Sequence, residues 1–365
     1  MRILTRYILR EFLIPFGYCL AGFVSIYVLF ELFGSFSRMM ESELSVSFTV
    51  KYLCGFLSPY FHYLVPAALM LATLYTMWSF CRHSEIIAMR ASGVSFIAIV
   101  KPLLAVSVLS AAAVAWVNES YVPRHAHWAN QLKNERFSVE KIARADNIVY
   151  RNAADGRTWN INNVLDFEGR RLGDVRVTID RPGGARLMNI TAARAEHLDG
   201  QWWFYDPKIQ HYDVSGREIA TPSPEMDALK FRCFGDFTEQ PSDFILQNIP
   251  WRYINIRAKL RYIAKHSDLT EKQRDEFLYD TWAQIVSPLA CIIITLFAIP
   301  AGIASGRQSV FKGILGALGM FFAFYGVTIA CMIIAKNGWC NPIAAAFAPN
   351  ILFLALGVRA FLKQR

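Results

Sequence analysis

Six apolar runs limit what this chain can fold into: Phe12–Phe33, Leu57–Phe80, Phe96–Val117, Trp282–Ile303, Ile314–Ala335 and Ile343–Phe361. Each is near the ~20 residues a helix needs to cross a hydrocarbon core, where only a continuous helix or closed barrel satisfies the backbone N–H and C=O groups. With 54% of its residues hydrophobic and only 18% charged, the chain lacks the polar side chains of an ordinary soluble domain. A membrane protein with six spans follows. The first run is too long for a secretory signal and has no small-residue cleavage pattern, so it reads as a retained span.

Basic residues orient the spans. Arg2, Arg6 and Arg10 recur every fourth residue, as on an interfacial helix under an inner leaflet or as plain positive-inside flanking, and either places the N-terminus in the cytoplasm. That arrangement puts Arg2, Arg6, Arg10, Arg82, Arg90, Lys101, Arg307, Lys312, Arg359, Lys363 and Arg365 inside, against Arg38, Lys51 and Lys336 in short outer loops. The long polar segment Asn118–Asp280 is then outside. It carries 24 Lys+Arg and 24 Asp+Glu, so the whole +9 net charge belongs to the membrane part, which suits an anionic lipid surface rather than nucleic acid.

Within that outer segment the pattern becomes short alternating runs at Asn147–Arg151, Thr158–Phe167, Arg176–Asp180, Arg186–Ile190, Gln201–Tyr205, Lys208–Tyr212, Glu218–Thr221 and Leu229–Phe234. Turn signals separate them, among them Asp155-Gly156, Pro182-Gly183-Gly184 and Asp199-Gly200, which predicts a β-sandwich or jelly roll. Trp202 and Trp203 fall on opposite faces of one strand. A helix over Trp251–His266 follows, and Asp268 or Thr270 caps another that runs into the fourth span. The expected parts are an N-terminal membrane half at 1–117, a β domain at 118–250, outer helices at 251–280 and a C-terminal membrane half at 281–365.

Chemical motifs are missing. The seven cysteines form no CxxC and no Cys/His metal spacing, and there is no P-loop, H-E-x-x-H or G-x-S-x-G. No catalytic residue, metal or cofactor is therefore expected. The span centres hold no ionisable residue for ion coupling, and Glu31 near one end of the first span is the single candidate. A transporter of this kind needs an external motor. The polar stretch Arg82-His83-Ser84-Glu85-Ile86-Ile87-Ala88-Met89-Arg90-Ala91-Ser92-Gly93-Val94-Ser95, between the second and third spans, is where a motor would push. Ser84 is the expected N-cap, Glu85 suits the positive end of the helix dipole, and Gly93 suits the first residue beyond the helix. Glu85, Ala88/Met89 and Ser92 share one face of that helix, though a solvated loop helix satisfies the same spacing.

The chain resembles the lipopolysaccharide-export permeases of the LptF/LptG (YjgP/YjgQ) family, with an α-helical membrane part of six transmembrane helices and a periplasmic all-β jelly-roll-like domain. The likeness runs from Leu4-Thr5-Arg6-Tyr7-Ile8-Leu9-Arg10-Glu11-Phe12, through Ser84-Glu85-Ile86-Ile87-Ala88-Met89-Arg90-Ala91-Ser92-Gly93, to Ala348-Pro349-Asn350. What the resemblance implies is one half of an asymmetric permease pair, seated on a dimeric cytoplasmic ATPase, that lifts lipopolysaccharide from the inner membrane towards periplasmic β-jelly-roll bridge proteins, one of them membrane-anchored. It makes residues 83–94 a coupling helix, with Glu85 bonding the ATPase, Ala88 and Met89 filling its groove, Arg90 and Ser92 alongside, and Gly93 ending the helix. It also implies a lateral gate between the first and fifth spans, with Phe30, Phe33, Phe321, Phe324 and Tyr325 as acyl-chain contacts. Glu31 stands where G-type members often carry a lysine for a lipid phosphate, which passes that role to Arg38 or to the partner permease. The strand Asn147-Ile148-Val149-Tyr150 and the Asp199–Trp203 hairpin look more like the G type. A lipoprotein-releasing permease would place its outer domain between the first two spans, and a membrane scaffold would need no coupling helix.

Overall fold

The computed structural model describes residues 2–41, 46–126, 128–130, 132, 148–152, 155–166, 169–181, 184–219, 230–245, 251–265, 269–307 and 310–363. The chain divides into two compact units, one of Met1–Phe137 with Thr270–Arg365 and one of Ser138–Leu269. The first is helical: α1 (Arg2–Glu41), α2 (Val46–Leu57), α3 (Phe61–Arg82), α4 (Glu85–Ala91) and α5 (Phe96–Trp116) precede the second unit. After it come α8 (Glu271–Val286), α9 (Ala290–Arg307), α10 (Val310–Lys336) and α11 (Pro342–Leu362).

Among the described residues six helical stretches are long and apolar enough to cross a membrane: Ile3–Gly34, Ser47–Arg82, Phe96–Asn130, Glu271–Ala304, Leu315–Lys336 and Pro342–Leu362. Four outrun the apolar cores read from sequence: α1 already begins at Arg2, and three others gain their length from adjoining elements. α2 passes through a tight turn at Ser58–Tyr60 straight into α3, α5 continues as a widened helix over Val117–Ala126, and α8 passes through Ser287–Leu289 into α9. Thr270 caps α8 with a reciprocal bond to Gln273, so Thr270 rather than Asp268 starts that helix.

α3 and α9 form the most extensive helix pair and are buried along most of their length, whereas α1 and α10 are largely uncovered. Gly302 on α9 permits the close approach: a Cβ there would lie 2.6 Å from Met77 Cβ and 3.0 Å from Leu74 O on α3. Gly302→Val is therefore expected to lower membrane-unit stability by about 1–3 kcal/mol, the usual cost of overpacking a tight core. Thermal unfolding in detergent would show it, and an unchanged midpoint would mean the pair is free to separate. Where Pro15 removes a helical N–H from α1, the carbonyl of Glu11 loses its bond, and Thr76 Oγ1 of α3 stands 3.3 Å from it and 2.8 Å from Ala72 O. At the far end of α10, Lys336 reaches Glu276 (3.1 Å) and Asp280 (3.0 Å) of α8.

Among its described residues the second unit is built on eight antiparallel strands: β1 (Ile148–Asn152), β2 (Arg157–Val164), β3 (Arg171–Asp180), β4 (Arg186–Leu198), β5 (Gln201–Tyr205), β6 (Lys208–Tyr212), β7 (Glu218–Ile219) and β8 (Phe231–Phe234). The order is β1-β2-β3-β4-β5-β8, with β6 on β4 and β7 on β6. β3 and β4 are longer than the sequence pattern suggests. Asp199 (φ 51°) and Gly200 (φ 81°) form the two-residue turn whose left-handed backbone matches the strand twist. Beyond it, β5 and β6 lie along one edge of β4 in a single register, Leu198 opposite Gln201 and Met188 opposite His211, broken only at Asp206 (φ 47°) and Pro207.

Inward and outward residues alternate until one level in the sheet, where the alternation slips in three neighbouring strands together. Ile161 and Val164, Leu172 and Val175, and Ala192 and Ala195 all point inward with two residues between them. Because the strands slip in step, register is kept while the sheet folds over a single core. Trp159, Trp202 and Phe204 fill that core, and Phe237 and Phe244 close it from beyond β8, the latter on the short helix α6 (Pro241–Ile245). Glu239 between them accepts from Arg157 Nε (2.9 Å) and Asn152 Nδ2 (2.8 Å), and its carbonyl accepts from Trp202 Nε1 (2.8 Å). Trp202 is thus the inward ring of its pair. The expected helix over Trp251–His266 begins later, as α7 (Ile256–Lys265), because Asn255 Oδ1 accepts the Ala258 N–H and caps it there. α7 belongs to the β unit, where Arg261 donates to Gln240 Oε1 (3.0 Å), so the expected division at residue 250 moves past it.

Candidate functional site

The polar stretch between the second and third spans folds as α4, seven residues flanked by left-handed backbone at Ser84 (φ 58°) and Gly93 (φ 85°). The expected cap at Ser84 is absent: its side chain bonds no helix N–H, and only its carbonyl engages, accepting from Ala88 N (3.0 Å). α4 thus has no side-chain N-cap, and the serine of this stretch that does cap is Ser95, whose Oγ accepts the Ala98 N–H at the start of the next helix, α5. The other end matches expectation. Gly93 N–H bonds Arg90 O and Val94 N–H bonds Met89 O, both at 3.0 Å, the paired closure that a left-handed residue permits.

Burial divides α4 into two faces. Ile86 and Met89 turn inward and pack in one cluster with Ile8 and Phe12 of α1 and with Phe96 and Ile99 of α5. Met89, expected in a partner's groove, is thereby committed to the protein's own core. The outward face presents Ala88, Arg90, Ala91, Ser92 and Gly93, together with Ile87, which is 62% exposed and which the sequence reading missed. Four apolar residues in succession, Ile86 to Met89, give no period by which the sequence could single it out. Glu85 sits at the edge between the faces and accepts a hydrogen bond from Tyr7 Oη of α1 at 2.9 Å. Arg82, one turn earlier, stacks over the Trp78 ring with 5.1 Å to its centroid.

The second group of residues does not gather into one surface. Phe30 and Phe33 near the far end of α1 are 81% and 83% exposed, an apolar face that the described residues of this chain leave uncovered. Glu31 between them is only 7% exposed and turns the other way, accepting from Tyr52 Oη of α2 at 2.7 Å. A buried acid held by a phenol is not a phosphate contact, and here it ties α1 to α2. The Arg38 side chain lies outside the described residues. On α10, Phe324 is buried against Phe353 of α11, while half-buried Phe321 packs on Tyr325, whose hydroxyl donates to His62 O (3.2 Å). Those three hold α10 to its neighbours, and among the described side chains of that helix the exposed aromatic is Phe322.

No grouping of three or more His, Cys, Asp or Glu residues suited to a metal ion occurs among the described residues. What the unit offers chemically is a helical membrane body, two largely uncovered span faces and a short apolar helix face on a loop. No curated protein matches the chain. The model of a family described as lipopolysaccharide export system permease LptF/LptG, transporter permeases rather than enzymes, matches residues 6–363. With six spans, an eight-stranded antiparallel domain between the third and fourth, and a match over nearly its whole length, this chain belongs to the LptF/LptG family of lipopolysaccharide export permeases.

Proposed function

We propose that the chain is one of two homologous permease subunits of an ABC transporter that extracts lipopolysaccharide from the inner membrane and passes it to a periplasmic bridge of β-jelly-roll proteins, one of them membrane-anchored. The family match over residues 6–363 carries this reading. A separate cytoplasmic ATPase dimer supplies the energy and docks on α4, with Ile87, Ala88 and Ala91 against its groove and Glu85 and Arg90 at the rim. The outward strip of Ile87, Ala88 and Ala91 on α4 supports this, because it is an uncovered surface of small and apolar side chains that a groove can cover. Both termini and α4 are cytoplasmic and the β domain is periplasmic, in keeping with the distribution of basic residues along the chain. The exposed faces of α1 and α10, including Phe30, Phe33 and Phe322, meet the partner permease and the acyl chains of the lipid.

Purification from native membranes tests the whole reading. A P-loop ATPase, a second permease of this family and lipopolysaccharide identified by mass spectrometry should accompany the chain. Recovery with ordinary phospholipid alone, and with no ATPase, would leave a membrane scaffold as the better description.

A further inference from the structure

A polar group of α1 grips α4 at Tyr7: its hydroxyl donates to Glu85 Oε2 at 2.9 Å across 78 positions of sequence. The same ring stacks on Phe80 at the end of α3, with centroids 5.9 Å apart and planes at 25°. Directly after it, Ile8 and Phe12 are fully buried in the cluster that takes Ile86 and Met89 from α4. One turn further on, Thr76 stands by the Glu11 carbonyl that Pro15 leaves open. The first turns of α1 are therefore fastened to the α3–α4 corner by a phenol, an aromatic stack, an apolar cluster and a backbone carbonyl.

α4 needs such a tether. It has seven residues and no side-chain N-cap, and the left-handed residue at each flank closes the backbone without a capping side chain to say which face turns inward. Its heading is set by side chains instead: Ile86 and Met89 beneath, and the Glu85 carboxylate held by Tyr7 at the edge. α1 is a single helix of 40 residues, and Phe30 and Phe33 lie roughly 35 Å along its axis from Tyr7 at 1.5 Å per residue.

We propose that Tyr7 is a positioning residue for coupling: by holding Glu85 it makes the first span move with α4, so that displacement of α4 by its partner reaches the Phe30–Phe33 face of α1. This rests on the reading of α4 as the docking element of an ATPase. Tyr7→Phe removes the hydroxyl and keeps the ring on Phe80, which separates the tether from the packing.

The test uses the full complex, purified with its ATPase and reconstituted in proteoliposomes containing lipopolysaccharide, and compares lipid extracted per ATP hydrolysed. Tyr7→Phe should retain the ATPase in wild-type amount while extraction per ATP falls about five-fold, the low end of usual coupling factors. In a Glu85→Ala background the same change should add nothing, because the two residues act as one contact. A wild-type ratio for Tyr7→Phe, an equal further loss in the Glu85→Ala background, or loss of the ATPase itself would each overturn the proposal. Ile87→Asp keeps the two readings apart. If it releases the ATPase while Tyr7→Phe behaves as wild type, only the tether is wrong. If it retains the ATPase fully, or if no ATPase accompanies the chain, the docking reading fails and the tether with it.

Discussion

Ile87→Asp is expected to strip the ATPase from the purified complex. The side chain is 62% exposed on the outward face of α4, beside Ala88 and Ala91, and lies outside the buried cluster that holds α4 in place. Exchanging it for a carboxylate therefore costs the free chain little, and thermal stability should stay within ~0.5 kcal/mol of wild type. Against a partner's apolar groove the same carboxylate is desolvated without a counter-charge. That penalty is on the order of 2–4 kcal/mol, roughly 30- to 1000-fold in affinity, and more than most single interface residues are worth. Affinity capture of the tagged chain followed by quantification of retained ATPase measures it directly. Met89→Asp is the control with the opposite profile: it strikes the cluster shared with Ile8 and Phe12, and should lower stability before it touches any partner. Equal retention in wild type and Ile87→Asp would remove α4 as the docking surface.

Trp159→Ala is expected to unfold the β unit and spare the membrane unit. Its ring is fully buried and meets Phe244 (4.8 Å), Trp202 (5.4 Å), Phe237 (5.4 Å) and Phe204 (5.7 Å), so it is the common neighbour of both sheet halves and of the segment that closes the core. Removing a buried Trp typically costs about 3–5 kcal/mol. A small domain stabilised by only 5–15 kcal/mol loses much of its margin. Each unit has its own core, so limited proteolysis should cut within 138–269 while the six spans stay intact and the chain remains in the membrane. Resistance equal to wild type would show that the aromatic cluster re-packs around the void.

The spans and strands were legible because each is written in a strong local code: about 20 apolar residues for a span, and alternation between turn glycines for a strand. The faces of short elements were not. Ile86, Ile87, Ala88 and Met89 are four apolar residues in succession, so the sequence of α4 has no period to say which side is inward. Ile8, Phe12 and Phe96 decide it, and two of these lie more than seventy positions away. The same holds on α10, where Phe321, Phe322, Phe324 and Tyr325 crowd one half of the helix and packing against α11 and α3 left Phe322 as the exposed one of the four. Glu31 was read by its depth in the span, but its environment is supplied by Tyr52 from α2. Ser84 misled because its residue type favours capping while its left-handed backbone turns the hydroxyl away from the helix.

The shared register of β5 and β6 along β4 bears on how the β unit is born. β1 to β5 are joined as successive hairpins, and β6 simply extends the last of them past Asp206 and Pro207, so the central pairings join segments adjacent in sequence. Pairing of this kind closes small loops, and its entropic barrier is low beside that of a sheet assembled from distant strands. The Asp199-Gly200 turn can zip β4 against β5 and then β6 without waiting for any residue beyond Tyr212. Only the β5–β8 pair and the closing segment with Phe237 and Phe244 must return across a longer gap. A sheet that seals in this order hides its aromatic face last, when the segment bearing Glu239 arrives to meet Arg157.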